Sequence, residues 1–253
     1  MWGDVMKKYF LHNIFAVIKI RHLTVIVCLL FSFIFSFSVY LLFASDMISA
    51  GGSADSMTTV IVDAGHGGED GGAVALDGSS EKDYNLEIAL RLEQLLEMNG
   101  YNVIMTRTED VMTCDEGLST VRARKISDIH NRFRIISENP NALFVSIHQN
   151  KFSDSFQHGT QVFYSRNNEM SRSLAESIQN SVAGTLQKDN KRAVKKSGSE
   201  IYLLYNAQSP AVLVECGFIS NYEDLNKLKS EEYKTQMAMM IADGIIKFDR
   251  KGD

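Results

Sequence analysis

Apolar residues recur along this chain in two spacings, which together predict strands alternating with helices. Short runs rich in β-branched residues, such as Thr59–Asp63 and Ala211–Glu215, are typical of buried strands. Longer stretches with apolar residues three or four positions apart, such as Glu81–Met98 and Glu231–Phe248, are typical of amphipathic helices. Alternating strands and helices favour a mostly parallel sheet with helices on both faces. We therefore predict an α/β domain built on a single twisted sheet of about six strands.

The remaining elements follow from the same two spacings. The predicted strands are Thr59–Asp63, Tyr101–Thr106, Ala142–Ile147, Thr160–Tyr164, Ile201–Leu204 and Ala211–Glu215. The predicted helices are Glu81–Met98, Leu118–Ser137, Ser171–Leu186, a short helix after Ser220 and Glu231–Phe248. Ser80 with Asp83, and Ser220 with Glu223, have the spacing of a capping box at a helix start. A loop with six glycines, 65–80, joins the first strand to the first helix.

The N-terminal region has a different pattern. Residues 23–44 contain no charged side chain, and a helix of 22 residues can span a hydrocarbon core of ~30 Å. Four basic residues precede this segment, at positions 7, 8, 19 and 21, and the positive-inside rule keeps such a flank in the cytoplasm. We predict a cytoplasmic segment 1–22, a transmembrane signal-anchor 23–44, a flexible linker 45–58 and an exported catalytic domain 59–253.

A cleaved signal peptide is the alternative for this region, and it would give a secreted protein. The apolar core of a signal peptide usually has about 7–15 residues, followed by a cleavage site with small residues. Here the apolar run is longer, and the best cleavage site, after Ala50, has the large Ile48 at the −3 position. The sequence therefore favours an uncleaved anchor that attaches the protein to the membrane.

Charge and cysteine content exclude two other classes. Four of the 26 basic and three of the 31 acidic residues precede residue 59, which leaves residues 59–253 with a net charge of −6. An acidic domain of this kind is not expected to bind nucleic acid. Of the three cysteines, Cys28 lies in the apolar segment, and Cys114 and Cys216 are far apart in sequence. Two cysteines in a domain of this size do not make a disulfide framework.

Three of the predicted strands end close to residues that bind metals or transfer protons. His66 follows the first strand, His148 the third and Glu215 the last. The carboxyl ends of parallel strands meet at one edge of a sheet, where α/β proteins bind ligands. Catalytic zinc takes three protein ligands from His and Asp or Glu and leaves one position open. His66 and His148 are candidate zinc ligands, and Glu81, at the start of the first helix, is the best candidate for the third.

Glu215 has the properties expected of a proton-transfer group. It ends an apolar strand, and a dry environment raises the pKa of a carboxyl group towards neutrality. Asp63 or Asn150 could orient a ligand imidazole through a hydrogen bond. The sequence after Gly65 could instead form a phosphate-binding loop, but it lacks the Gly-Lys-Ser/Thr ending and no helix follows its second glycine cluster.

These residues resemble the zinc-dependent N-acetylmuramoyl-L-alanine amidases, the third amidase family of bacterial cell-wall hydrolases. The family's Asp-Pro-Gly-His-Gly-Gly matches Asp63–Gly68, its helix-starting Glu matches Glu81, and its Ser-x-His-x-Asn matches Ser146–Asn150. Its Pro-Ala-x-Leu-x-Glu-x-Gly-Phe-x-Ser-Asn matches Pro210–Asn221, and Met105–Arg107 matches a frequent triplet after the second strand. The one departure is alanine at position 64 in place of proline. The resemblance covers about residues 59–249.

The resemblance implies zinc held by His66, Glu81 and His148, with Glu215 catalytic. The expected substrate is peptidoglycan, cut at the amide between N-acetylmuramic acid and L-alanine. Lacking a long insertion after His148 and wall-binding repeats, the chain most resembles the germination-specific amidases of spore formers, which act in the spore cortex on the way to muramic-δ-lactam. The expected location is then the forespore intermembrane space, with a possible accessory regulatory protein.

Two rival functions remain at this stage. A zinc carboxypeptidase acting on stem peptides would need a cation for the terminal carboxylate, and Arg107 is the candidate. A wall-binding scaffold that has lost catalysis would be expected to lack one of the ligands or Glu215, and the sequence retains all four residues.

Overall fold

A computed structural model describes residues 31–33, 37, 57–75 and 77–250 of this chain. The predicted cytoplasmic segment, most of the predicted transmembrane segment 23–44 and residues 45–56 of the predicted linker lie outside these residues. Within the described part of the chain, no helix is both long and apolar enough to cross a membrane. Residues Met57–Asp253 cluster into one compact unit.

The described residues form a six-stranded sheet with the spatial order β2-β1-β3-β6-β4-β5. Neighbouring strands are parallel, except that β4 runs antiparallel to β6. The prediction of a mostly parallel sheet of about six strands is therefore confirmed. The strands are β1 (Thr59–Ala64), β2 (Asn102–Met105), β3 (Leu143–Asn150), β4 (Gln161–Tyr164), β5 (Lys195–Lys196) and β6 (Ala211–Phe218).

Helices pack on both faces of this sheet, as predicted. They are α1 (Glu81–Met98), α2 (Val121–Glu138), α3 (Met170–Thr185), α4 (Tyr202–Asn206), α5 (Tyr222–Leu228) and α6 (Glu231–Asp249). Strand side chains alternate between the faces. Val60 and Val62 join the large core formed with α1, α3 and α6, whereas Ile61 joins a smaller core with residues of α2 and α4. Each face of the sheet therefore has its own apolar core.

Two element predictions were wrong. Residues 201–204 were predicted to be a strand, but Tyr202–Asn206 is a short helix, in which the Tyr205 amide donates to the Ile201 carbonyl. A four-residue apolar run fits a strand and a buried helical turn equally well. Conversely, no strand was predicted at Lys195 and Lys196, but these residues pair with β4 as the edge strand β5. Edge strands tolerate lysine because one side faces solvent.

The two predicted capping boxes also differ from the observed helix starts. Ser80 is the N-cap residue of α1, but its side chain accepts no capping hydrogen bond. At α5 the cap is Asn221 and not Ser220, because its Oδ1 accepts from the amides of Glu223 and Asp224. An asparagine acceptor satisfies the same free amide groups that a serine hydroxyl would.

Candidate metal centre

The strand register brings the predicted polar residues to one edge of the sheet. Asp63 of β1 lies opposite Ser146 of β3, and His148 of β3 lies opposite Glu215 of β6. His66 follows β1 by two residues. The predicted convergence at the carboxyl ends of these strands is therefore confirmed.

His66, Glu81 and His148 form one compact cluster. Each of them offers a ligand atom, and these atoms all lie within 4.8 Å of one another. Glu81 Oε1 is 3.4 Å from His66 Nε2 and 2.8 Å from His148 Nδ1. The two imidazole rings meet edge to face, with centroids 4.9 Å apart. Two imidazoles and one carboxylate in this arrangement can hold a divalent cation.

Glu81 is buried and surrounded by donors. Oε1 accepts from the Gln149 amide (3.1 Å) and the Asn85 side chain (3.3 Å), and Oε2 accepts from the Ala73 amide (2.8 Å). Burial alone would raise the pKa of Glu81, but its contacts with His148 and His66 outweigh burial and lower the pKa well below its usual range. The carboxylate therefore stays ionised, the form in which it binds a metal.

His66 is oriented by a residue that the sequence analysis missed. Its Nδ1 lies 2.9 Å from Asp70 Oδ2, which leaves Nε2 directed towards Glu81. Burial would lower the pKa of His66, but the hydrogen bonds with Asp70 and Glu81 raise it to about 9. A carboxylate behind a ligand imidazole fixes its tautomer and increases its basicity. The sequence feature that could have indicated this role is an aspartate four residues after the histidine, in a loop rich in glycine.

Glu215 has a different environment. Its Oε2 is fully covered and, among the described residues, has no hydrogen-bond partner. Burial raises the pKa of Glu215 to about 7, although the nearby His148 acts in the opposite direction. Glu215 and His148 both line a cavity of about 380 Å³, whose apolar wall includes Ile129, Phe144 and Leu213. A carboxyl group with a pKa near neutrality can accept and return a proton at working pH.

Two glycines make room for the ligands. A β-carbon at Gly65 would lie 2.2 Å from His148 Nε2, inside the space of the imidazole. At Gly72 it would lie 2.6 Å from Glu81 Oε2 and 2.6 Å from His66 Cδ2, and Gly72 also has a φ of +67°. All three distances are shorter than β-carbon contacts in real proteins. Side chains at these positions would displace the ligands.

The remaining predicted site residues have other roles. Asp63 does not hold an imidazole, because its carboxylate bonds Thr106 (2.8 Å), Ser146 (2.5 Å) and Arg132 (2.6 Å). Arg107 is buried and cannot hold a substrate carboxylate, because its guanidinium group donates to backbone carbonyls. The acceptors of Arg107 are Ala64, Gly65, Lys82 and Glu109.

Asn150 ends β3, and its carbonyl accepts from the Ile219 amide at 2.8 Å. Among the described residues, no hydrogen bond joins its side chain to either imidazole. Its predicted role in orienting a ligand therefore finds no support.

A His–Glu–His cluster beside a carboxyl group of raised pKa, at the carboxyl edge of an α/β sheet, is typical of metal-dependent hydrolases. Comparison with known proteins identifies the family. Residues 60–247 match the model of the N-acetylmuramoyl-L-alanine amidase family. The chain belongs to this family, whose members cleave the amide between N-acetylmuramic acid and L-alanine in peptidoglycan.

Individual relatives agree with this assignment. The chain is 35% identical over 195 residues to a germination-specific N-acetylmuramoyl-L-alanine amidase of Bacillus subtilis, covering 77% of this chain and 81% of the relative. It is similar to the CwlD amidase of Clostridioides difficile, solved in complex with the GerS lipoprotein. That match has 40% identity, a TM-score of 0.74 and coverage of 77% and 99%. The amidase AmiC2 of Nostoc punctiforme matches with 31% identity, a TM-score of 0.64 and coverage of 76% and 97%.

Proposed function

We propose that this amidase is a zinc enzyme in which His66, Glu81 and His148 hold the metal and Glu215 transfers protons. The observation that carries the proposal is the cluster of three ligand atoms within 4.8 Å, next to a covered carboxylate oxygen without a partner. An oxygen in a structural ion pair has a partner, whereas this oxygen has none among the described residues.

The donor set fits zinc. Two nitrogens and one oxygen with an open fourth position are the ligands of catalytic zinc in hydrolases, whereas Mg²⁺ and Ca²⁺ prefer oxygen ligands alone. Glu81 Oε1 lies 3.4 Å from His66 Nε2 and 2.8 Å from His148 Nδ1, so the three ligand atoms are close enough to approach one cation.

Each side chain then has a chemical task. Zinc bound at the three ligands would supply a Lewis acid that polarises the amide carbonyl and acidifies a water molecule. Glu215 accepts a proton from a water molecule as the water oxygen attacks the carbonyl carbon. Glu215 returns the proton to the amide nitrogen as the C–N bond breaks. The products are the lactyl carboxylic acid of the sugar and a stem peptide with a free α-amine.

The cavity beside Glu215 suits the groups that flank the scissile amide. The lactyl methyl and the alanine methyl lie on either side of that bond, and the apolar wall can bury them while the amide faces His148 and Glu215. The carboxypeptidase alternative has less support, because the guanidinium group of Arg107 is occupied by backbone carbonyls. A chain-end carboxylate would find no cation at that position.

The biological setting is inferred from the relatives. The similar proteins include a germination-specific amidase and the CwlD amidase in complex with the GerS lipoprotein. By analogy, this chain acts on spore cortex peptidoglycan, as a step towards muramic-δ-lactam, and works with an accessory protein. The apolar segment 23–44 would anchor the catalytic domain 59–253 on the outer side of the membrane, with the linker 45–58 between them.

Two measurements on the full chain in detergent test the proposal. Metal analysis of protein prepared without chelators should find about one zinc per chain. Mass spectrometry of muropeptides should show whole stem peptides released with L-alanine at their N-terminus. A metal-free folded protein would overturn the zinc assignment. Release of single C-terminal amino acids, with every stem still on its sugar, would favour the carboxypeptidase.

A further inference from the structure

Two buried guanidinium groups lie beneath the loop that carries His66. Arg107 donates to the carbonyls of Ala64 (2.9 Å) and Gly65 (3.1 Å). Arg132 donates to the carbonyls of Ala64 (2.8 Å) and His66 (2.7 Å). The carbonyls of three consecutive residues, Ala64 to His66, thus accept hydrogen bonds from two arginines.

Arg132 is itself held in place by two carboxylates. Its Nη1 lies 2.6 Å from Asp63 Oδ1, and its Nε lies 2.8 Å from Asp128 Oδ2. The whole residue is 1% exposed, and its side chain is the largest fully buried one among the described residues. Asp63 also accepts from Thr106 of the segment after β2 and from Ser146 of β3. The guanidinium group therefore connects the loop to α2 through Asp128, and to β1, β3 and the segment after β2 through Asp63.

The loop needs such support because its backbone is strained at the ligand. Among the described residues, His66 is the one non-glycine residue with positive φ, at +62°. This conformation is unfavourable for a residue with a β-carbon and persists only when its surroundings enforce it. The next two residues, Gly67 and Gly68, also have positive φ. Ordering glycine costs more backbone entropy than ordering any other residue, so this segment tends to become disordered unless other groups hold it. Unsupported, the His66 peptide would relax and move its imidazole.

We propose that Arg132 is a positioning residue for the metal site. By holding the carbonyl of His66, it fixes the left-handed peptide that aims Nε2 at Glu81, and Asp63 and Asp128 fix Arg132 in turn. Arg107 holds the carbonyls of the two residues before His66. Lysine would keep the charge but cannot reproduce the rigid fork that contacts two carbonyls and two carboxylates at once. This inference rests on the zinc site proposed above.

Arg132→Lys in the full chain tests the proposal. Competition with a chromogenic chelator measures the zinc dissociation constant, independently of turnover. Loss of a group that orients a ligand typically costs ~10–100-fold in metal affinity, so we expect zinc binding at least about 10-fold weaker. The matched control is Arg172→Lys, an exposed arginine paired with Glu176 on α3, which should bind zinc like the wild type.

A second measurement separates positioning from general stability. If Arg132 served only packing, Arg132→Lys would lower the melting temperature of the metal-free protein and leave zinc affinity within about twofold of the wild type, and the proposal would be overturned. Should that variant fail to fold, Asp128→Asn retains Arg132 but removes one of its partner charges. Weaker zinc binding by Asp128→Asn would support the proposal, and unchanged binding would overturn it.

The wild type and His66→Ala distinguish this inference from the proposed function. If His66→Ala binds zinc as tightly as the wild type, the ligand set is wrong and the inference falls with it. If His66→Ala loses zinc while Arg132→Lys retains full affinity, the ligand set stands and only the role of Arg132 is rejected.

Discussion

Two glutamates lie in the same site but in opposite environments. Both carboxylate oxygens of Glu81 have hydrogen-bond partners. Together these partners are two backbone amides, the Asn85 side chain and an imidazole. Glu215 instead lines a cavity with an apolar wall, and its Oε2 is covered and has no hydrogen-bond partner among the described residues. Both carboxyl groups are desolvated, and the number of donors around them differs.

This difference separates two chemical tasks. Burial disfavours the ionised form of both carboxyl groups, but only Glu81 has donors that reverse the effect. Its pKa is lowered, so it is ionised at any working pH and suits a metal ligand. The pKa of Glu215 is raised to about 7, so it exchanges protons near neutrality. Similar side chains thus acquire separate roles from their hydrogen bonds alone.

The strongest test of this comparison is Glu215→Gln. The amide keeps the shape of the side chain but cannot accept a proton, and general acid–base groups contribute about 10²–10⁴-fold to rate. We expect kcat to fall by this factor while bound zinc, measured by metal analysis, stays at the wild-type level. Wild-type turnover by this variant would show that another group transfers the proton.

The reciprocal substitution, Glu81→Gln, should affect metal binding first. It removes a direct ligand, so its effect on zinc affinity should exceed the ~10–100-fold loss typical of groups that merely orient ligands. Chelator competition gives the dissociation constant, and turnover should partly recover in excess zinc. If Glu81→Gln and Glu215→Gln both kept zinc and lost kcat equally, the division of roles would be wrong.

The pH profile sharpens the comparison further. Glu215 must be deprotonated to accept a proton, so kcat/KM should fall about tenfold per pH unit below roughly 7. Glu81 should cause no change in kcat/KM near neutral pH, because its lowered pKa keeps it ionised throughout this range. Initial rates between pH 5 and 8, on zinc-loaded enzyme of confirmed metal content, provide the measurement. An acid limb near the ordinary glutamate value would mean that the Glu215 environment is wetter than the structure indicates.

The parts of the site that the sequence predicted are those that local pattern determines. His148 and Glu215 follow apolar strand runs, so parallel pairing alone brings them together. The short helix α4 was missed because its apolar run has no period of its own. Asp70 and Arg132 were missed because their roles depend on long-range hydrogen bonds. On α2, Arg132 looks like one more basic residue of an amphipathic helix, until Asp63 and Asp128 neutralise it.

The glycines at positions 65 and 72 have a consequence for how this loop can vary. A glycine-rich loop is usually taken as tolerant, because it has no regular structure to disrupt. Here two glycines lack a side chain at positions where the imidazole of a β3 residue and the carboxylate of an α1 residue occupy the space. Even alanine, the smallest substitution, would compete with a ligand for the same volume. At Gly78, by contrast, an added β-carbon would meet nothing within 4 Å, so a side chain there is opposed by the φ of +86° and not by a ligand.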